Sequence, residues 1–317
     1  MKGVSKKFPG TIAVDDVDFD VYAGEVHALV GENGAGKSTL MKMLAGSFDD
    51  YTGTISIKGK ETKLHSPAMA KAVGIEMIYQ ELSLALPLSI AENVLVGRLP
   101  VRNGIIDRKK LTEDAAAALS RVGLEYLDPM KPIEDISQHE AQLVEISKAL
   151  WNNPGILVMD EPTSALSREE VERLFTIIAK LKNEGLAIVY ISHHLPEIFR
   201  VADRVTVLRD GKKIGTKNIH EVKREEVVQM MVGRSIREFY TKRDHSIGKD
   251  RLVVENLSRW GFFHNVSFTA REGEILGICG LSGAGRTELA RVMVGLDSAS
   301  AGTVTLEGKR VSARRMA

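Results

Sequence analysis

Gly31-Glu32-Asn33-Gly34-Ala35-Gly36-Lys37-Ser38-Thr39 fits the phosphate-loop pattern G-x-x-x-x-G-K-[ST] at every position. Before it stands Val26-His27-Ala28-Leu29-Val30, an apolar run of strand length. After it, Ser38 to Ala45 reads as a helix. With strand, loop and helix in register, the pattern acquires a mechanical meaning. Glycines let consecutive backbone N–H groups converge on phosphate oxygens, and the helix start adds its positive end. Lys37 then reaches the β- and γ-phosphates of a nucleotide, and Ser38 ligates Mg²⁺. Nucleotide contacts are therefore expected from Gly31, Glu32, Asn33, Gly34, Ala35, Gly36, Lys37, Ser38 and Thr39.

A worn copy lies 249 positions further on, as Gly280-Leu281-Ser282-Gly283-Ala284-Gly285-Arg286-Thr287-Glu288. It keeps Gly280, Gly283, Gly285 and Thr287, but Arg286 stands where the lysine belongs. The same offset pairs Val17-Asp18-Phe19-Asp20-Val21 with Val266-Ser267-Phe268-Thr269-Ala270, and Gly24-Glu25-Val26 with Gly273-Glu274-Ile275. It also pairs the stretch from Gly53 to Lys60 with that from Gly302 to Lys309. A gap-free match of this extent indicates a duplicated domain. The expected organisation is a first domain over 1–233, a charged linker without apolar period over 234–250, and the amino-terminal part of a second, degenerate domain over 251–317. The second copy reaches Ala317 soon after the strand expected at 303–307, so the chain reads as a fragment or a truncation product.

The bulk composition is that of an ordinary globular protein. The chain has 317 residues, 44% hydrophobic and 27% charged, enough for about two domains with a sizeable core. Lys+Arg is 43 against 42 for Asp+Glu, a net charge of +1, which argues against a strongly basic nucleic-acid binder. Cys279 is the one cysteine, so no intrachain disulfide forms, which fits a reducing compartment. Met1-Lys2-Gly3-Val4-Ser5-Lys6-Lys7 has no apolar core after it, so no secretory signal is expected. No run of about 18 apolar residues is present, so any membrane role is expected to be peripheral, through a partner.

Working outward from the first loop, 15–21 and 54–58 are expected as strands. The stretch from about Leu86 to Leu150 is expected as helical, clearest at Ala115–Leu119 and Ala141–Leu150. Arg168–Asn183 carries apolar residues at helical spacing, and 187–191 and 205–208 read as strands. Strands alternating with helices point to an α/β fold with a parallel sheet. The second chemical motif is Ile156-Leu157-Val158-Met159-Asp160-Glu161-Pro162. An apolar strand delivers two acids at its carboxyl end, where ligand sites of open α/β sheets lie. Asp160 is expected to hold Mg²⁺, through water, and Glu161 to polarise the attacking water as general base.

This combination resembles the ATP-binding cassette (ABC) transporter family, closest to the tandem ATPase subunits of bacterial carbohydrate importers of the ribose, arabinose and galactose type. The likeness covers essentially the whole chain. It rests above all on Val26 through Lys42 and on the altered loop from Gly280 to Leu289. The fold it implies is a P-loop nucleotide-binding domain with a helical subdomain at about 86–150, followed by part of a second ABC domain. The resemblance further implies roles for other residues. In Tyr79-Gln80-Glu81, Gln80 would sense metal and γ-phosphate; in Ile191-Ser192-His193-His194, His193 would contact the γ-phosphate. Ser164-Ala165-Leu166-Ser167 sits where the family's D-loop follows the acids, and Phe8 is similar to the aromatic that stacks on adenine. Also implied are ATP hydrolysis with Mg²⁺ on the cytoplasmic face of the membrane, permease subunits as direct partners, and a sugar-binding protein as an indirect one. A second cassette or a second copy would complete each site, and no nucleic-acid partner is implied.

The sequence departs from the family at the signature motif L-S-G-G-Q, which here reads Ile136-Ser137-Gln138-His139-Glu140. In the family this motif closes over nucleotide bound by the other cassette, through its serine, backbone N–H groups and a helix start. Ser137 is retained. His139 adds bulk where glycine lets the backbone approach, and Glu140 brings negative charge. At 5 Å and an effective dielectric of about 20, such a charge repels each unit of phosphate charge by about 3 kcal/mol. The motif would face the loop carrying Arg286, which keeps charge without lysine's compact ammonium, so one composite site is altered on both sides. The other has its cis half intact and its trans half beyond Ala317, and the chain is therefore expected to bind MgATP but hydrolyse it weakly alone. Two further readings stay open: a soluble ABC ATPase of DNA repair or translation, and a hydrolysis-impaired binding module.

Overall fold

The structure, a computed structural model, describes residues 1–164, 166–233, 246–281 and 283–311. The chain divides into two units, Met1–Phe239 and Tyr240–Ala317. In the first, strands β1 (Lys2–Phe8), β2 (Thr11–Val17) and β3 (Val26–Val30) lead to helix α1 (Lys37–Leu44). Strand β4 (Thr52–Thr54) and β5 (Ile75–Ile78) follow, then helices α2 (Ile90–Val94), α3 (Arg108–Ser120) and α4 (Gln138–Trp151). The remainder runs β6 (Ile156–Asp160), α5 (Arg168–Asn183), β7 (Ala187–Ile191), α6 (Leu195–Val201), β8 (Arg204–Arg209), β9 (Lys212–Asn218) and α7 (Arg224–Val232).

Six strands form the central sheet in the order β9-β8-β3-β7-β6-β5. Every pairing is parallel except β9 on β8. The parallel strands are short apolar runs because both faces are covered. Alternate residues divide between two cores, as a period of two requires. Val26, Ala28, Val30, Leu157, Met159, Ile188 and Tyr190 pack with the helices of one layer. Leu29, Val158, Val189 and Ile191 pack on α1 and on Val4, Val14 and Val17 of the antiparallel sheet β2-β1-β4.

Two local expectations are corrected. The strand expected over 15–21 lies at Thr11–Val17. Asp16 takes a positive φ of 53°, and beyond Val17 the chain leaves the ladder. Phe19 is buried by packing, its ring 4.7 Å from that of His27, rather than by strand pairing. The region from Leu86 to Leu150 is also less uniformly helical than expected. A two-stranded hairpin, Val101–Arg102 with Ile105–Ile106, interrupts it at Asn103-Gly104, where both residues have positive φ. Asn-Gly is the favoured pair for such a two-residue turn.

The second unit is a four-stranded antiparallel sheet, β11-β10-β12-β13, made of β10 (Asp250–Arg259), β11 (Phe263–Arg271), β12 (Ala301–Leu306) and β13 (Lys309–Arg310). Helix α8 (Arg286–Met293) packs Leu289 and Val292 against Val254, Leu257 and Phe263. Of the stretch read as a linker, residues 234–245 lie outside the described residues, and Asp250 already opens β10. Ile275 to Cys279, counterparts of β3 by the repeat, are not in a strand, and Ile275 is fully exposed.

His27 illustrates what a polar side chain costs inside this sheet. Its Nδ1 accepts from Arg204 Nη2 at 2.9 Å, which leaves Nε2 to donate to Thr206 Oγ1 at 2.7 Å. Burial and the neighbouring Arg204 guanidinium push its pKa down to about 4. Because the folded state resists the proton that the unfolded chain takes up near pH 6.5, folding free energy falls as pH drops from about 6.5 to about 4. Above that window the residue contributes no slope. The loss expected from this group is at most about 3 kcal/mol. Urea midpoints of wild type and His27→Gln across pH 4–7 check it: the variant should show the shallower acid limb.

Candidate nucleotide site

Four neighbouring strands of the central sheet end at one edge of it. After β3 comes Gly31 and the phosphate loop, after β6 Glu161, after β7 Ser192-His193, and after β5 Tyr79-Gln80. Asp160 is the last residue of β6. Ala13, Asn33, Gly34, Gly36, Lys37, Ser38, Thr39, Gln80, Asp160 and Glu161 line a single groove of 210 Å³ there. A larger cavity, of 320 Å³, lies at the amino ends of β6 and β7, and none of these residues lines it.

The loop's shape explains its glycines. A Cβ on Gly36 would meet Ala13 O at 2.4 Å, and the residue sits at φ +99°, so only glycine fits. Gly34, at φ +84°, has nothing within 4 Å of where a Cβ would stand, which leaves its backbone open to an approaching oxygen. Lys37, 7% exposed, folds back into the loop and donates to Gly31 O at 2.8 Å and Glu32 O at 3.0 Å. Burial lowers its pKa, with the charges of Glu161 and Asp160 opposing. Burial raises that of Asp160, against a hydrogen bond from Ser38, and the Glu161 charge pushes in the same direction as burial. One buried ammonium and one buried carboxylate thus face the same groove.

Glu161 takes a left-handed φ of 49°. Such a conformation costs a side-chain-bearing residue roughly 1–3 kcal/mol and collects at functional sites. Its amide donates to Ile191 O at 2.9 Å. Its carboxylate receives Gln80 Nε2 at 3.2 Å on one oxygen and lies 3.0 Å from His193 Nδ1 on the other. Sequence separations of 81 and 32 residues are closed by these two contacts. For Mg²⁺, the donor set of Ser38 hydroxyl, Asp160 carboxylate and Gln80 amide oxygen has the right chemistry. Among the described residues no group of three His, Cys, Asp or Glu is placed to hold a metal alone. Mg²⁺ ordinarily takes one or two protein oxygens together with substrate phosphates, which matches the Ser38 and Asp160 oxygens.

The remaining sequence-stated residues lie apart. Phe8 is half-buried at the end of β1, its ring edge-on to Phe48 at 5.4 Å with Lys6 Nζ 4.9 Å above it; it is not among the groove residues. Ser137, His139 and Glu140 stand at the start of α4. Ser137 Oγ accepts from the Glu140 amide at 3.2 Å, and Glu140 Oε2 accepts from the Ser137 amide at 2.7 Å, a capping box. Tyr126 OH donates to the other Glu140 oxygen at 3.0 Å. The negative charge that Glu140 brings is thus bound to the helix start. His139, read as bulk at the backbone, is turned inward and 7% exposed, with Nδ1 lacking a partner. The spacing Ser-x-x-Glu was the overlooked signal. Glu197 on α6 was missed altogether. One of its oxygens receives Thr163 Oγ1 at 2.8 Å and Tyr190 OH at 3.0 Å, tying the turn after Glu161 to β7. Ala165 of the expected D-loop lies outside the described residues, and Ser167 caps α5.

In the second unit Gly283 and Gly285 have positive φ, 78° and 82°, and Gly285 caps α8 as Gly36 caps α1. Arg286 and Thr287 are exposed, unlike the inward-folded Lys37, and Gly280 sits at the loop's start. Ser282 lies outside the described residues.

The family model for the ABC transporter matches residues 14–164 and 263–317, two segments that contain the two loops. The chain belongs to the ABC transporter family. It is 47% identical over 311 residues to the ribose import ATP-binding protein RbsA 1 of Streptomyces avermitilis, covering 98% of this chain and 59% of that protein. It is 45% identical to the ribose import ATP-binding protein RbsA of Geobacillus kaustophilus, covering 99% of this chain and 64% of that one. The chain thus spans about three fifths of the length of these curated relatives. Among solved structures, an ATP-binding cassette of an ABC transporter in its ADP conformation aligns at a TM-score of 0.63 and 25% identity, over 74% of this chain and 97% of that one. A dimeric post-hydrolysis cassette bound to ADP and Pi aligns at 0.60 and 25%, over 69% and 97%. Among the described residues no helix is long and apolar enough to cross a membrane.

The capping box carries a prediction of its own. Ser137→Ala removes the acceptor for the Glu140 amide and should lower unfolding free energy by about 1 kcal/mol, read from urea midpoints.

Proposed function

We propose that this chain is an ATP-binding and ATP-hydrolysing subunit of a bacterial importer for sugars of the ribose and galactose type. The observation that carries the reading is the convergence of Lys37, Ser38, Gln80, Asp160 and Glu161 on one groove, with His193 on Glu161. The cargo class is supported by the relatives, which are ribose import and ribose/galactose/methyl galactoside import ATP-binding proteins. The partners are membrane permease subunits that this chain would drive from the cytoplasmic face, with a sugar-binding protein upstream. A second cassette or second copy would close the site through a signature motif, as the dimeric neighbour suggests. The loop at Gly280–Thr287 belongs, in this reading, to a second and altered nucleotide site.

A Mg²⁺ ion held at the groove would offset the charge that develops on phosphoryl transfer. Ser38 and Asp160, which line the groove with Gln80, would hold it. Lys37 exchanges its carbonyl partners for phosphate oxygens, which a charge-assisted bond favours. Glu161 accepts the proton of the attacking water as oxygen adds to the γ-phosphorus and the bond to the bridging oxygen breaks. Gln80 and His193 hold that carboxylate in place until then. Phe8 is the residue assigned to adenine.

Two variants test this. Lys37→Ala should weaken binding of a fluorescent ATP analogue by about tenfold or more; unchanged binding would overturn the site. Glu161→Gln should bind ATP normally and lose about 10²–10⁴-fold in turnover, the range a general base contributes. Turnover equal to wild type would mean that Glu161 does no chemistry.

A further inference from the structure

Side chains alternate along β1, and its inward positions are Val4, Lys6 and Phe8. Val4 is fully buried and Lys6 is 2% exposed. A lysine thus holds a core position that an aliphatic residue would fill without losing the hydration of a charge. Its ammonium donates to the Asp50 carboxylate, and to the Asp50 carbonyl at 3.3 Å. The Asp50 side chain is 71% exposed, and an ion pair with so exposed a partner returns little. The ammonium's other neighbours are two rings, with the centroid of Phe8 at 4.9 Å and that of Phe48 at 5.0 Å. The rings stand edge-on to each other at 5.4 Å, so cation and rings close a triangle.

The hairpin relates this triangle to the groove. In the pairing of β1 with β2, Lys6 lies opposite Val14 and Phe8 opposite Thr11. Ala13, next to Val14, lines the groove, and Phe8 stands further out along the same hairpin. Among the described residues no aromatic side chain lines the groove itself, so a base attached to phosphates held there has to lie beyond it. Phe8 is partly open to solvent, and buried Lys6 closes the side of the ring that it covers. A desolvated ammonium is held by the electrons of a ring face and in turn fixes that ring. It also draws the ring's π-electrons towards itself, which leaves the far face less electron-rich. Stacking is governed by that charge distribution, and an electron-rich purine gains from it.

We propose that Lys6 is a positioning and specificity residue for the base: tethered by Asp50, its ammonium fixes the Phe8 ring and polarises it for stacking on a purine. This rests on the assignment of Phe8 to adenine given above. Calorimetric titration of the full chain with MgATP and with magnesium tripolyphosphate, which has the phosphates and no base, tests it. The readout is the ratio of the two affinities. Wild type should favour ATP at least about tenfold, as stacking of one base on an aromatic side chain allows. Lys6→Met should cut that ratio by at least about threefold with tripolyphosphate binding unchanged. Lys6→Arg, which keeps a cation beside the rings, should hold the wild-type ratio. Thermal midpoints identify a Lys6→Met chain that fails to fold, and Asp50→Asn, at an exposed residue, then serves in its place and should lower the ratio. A wild-type ratio in Lys6→Met or in that substitute, or a ratio lowered equally in Lys6→Met and Lys6→Arg, overturns the role of Lys6. An unchanged ratio in Phe8→Ala overturns the adenine assignment instead. Tripolyphosphate binding that survives Lys37→Ala overturns the groove, so the three failures are told apart.

Discussion

The site depends on four parallel strands ending at one level. Hydrogen-bonded register sets that level: Asp160 lies opposite Ile191, Ile191 opposite Leu29, and Met159 opposite Ile78. Lys37, Glu161, His193 and Gln80 each follow one of these strand ends by a few residues. Because side chains alternate along a strand, a slip of one residue would exchange its two faces. Val158 would enter the core now holding Leu157 and Met159, and Asp160 would leave the groove. The two apolar layers resist that slip, since every parallel strand is buried on both faces. Chemistry at the edge is thus held by packing some way below it.

On this scaffold the groove concentrates unfavourable terms. Lys37 and Asp160 are charged groups withdrawn from water, and Glu161 holds a left-handed backbone. Each is tolerable because neighbours over-determine it. Lys37 is bound by two carbonyls, Glu161 by Ile191, Gln80 and His193, and the turn after Glu161 by Glu197 through Thr163. Groups held this way are ready for a ligand that supplies phosphate oxygens. Such a ligand would replace bonds the protein now makes to itself, with little reorganisation.

The phosphate loop, the acids after β6 and the apolar strands were legible because each is encoded locally, in spacing and period. The helix starts are legible in the same way: Ser137-x-x-Glu140, at the position of the family's signature motif, has the spacing of a capping box. The hairpin at Asn103-Gly104 was missed because its strong two-residue signal lies inside a region with helical character. Glu197 had no sequence signal at all. Its meaning lies in contacts between segments tens of residues apart, and nothing in local spacing announces a long-range hydrogen bond.

The two loops show how far a motif goes without its sheet. Both place a left-handed glycine at a helix start, at Gly36 and at Gly285, so loop and helix follow from local sequence in either copy. In the first copy β3 is bonded on both sides, by β7 and β8, and the lysine is drawn into the loop. In the second, Ile275 to Cys279 pair with no strand among the described residues, and Arg286 stays exposed. The glycines suffice to turn the backbone. Placing a cation at a phosphate, with acids opposite, takes neighbouring strands on both sides of the one that carries the loop.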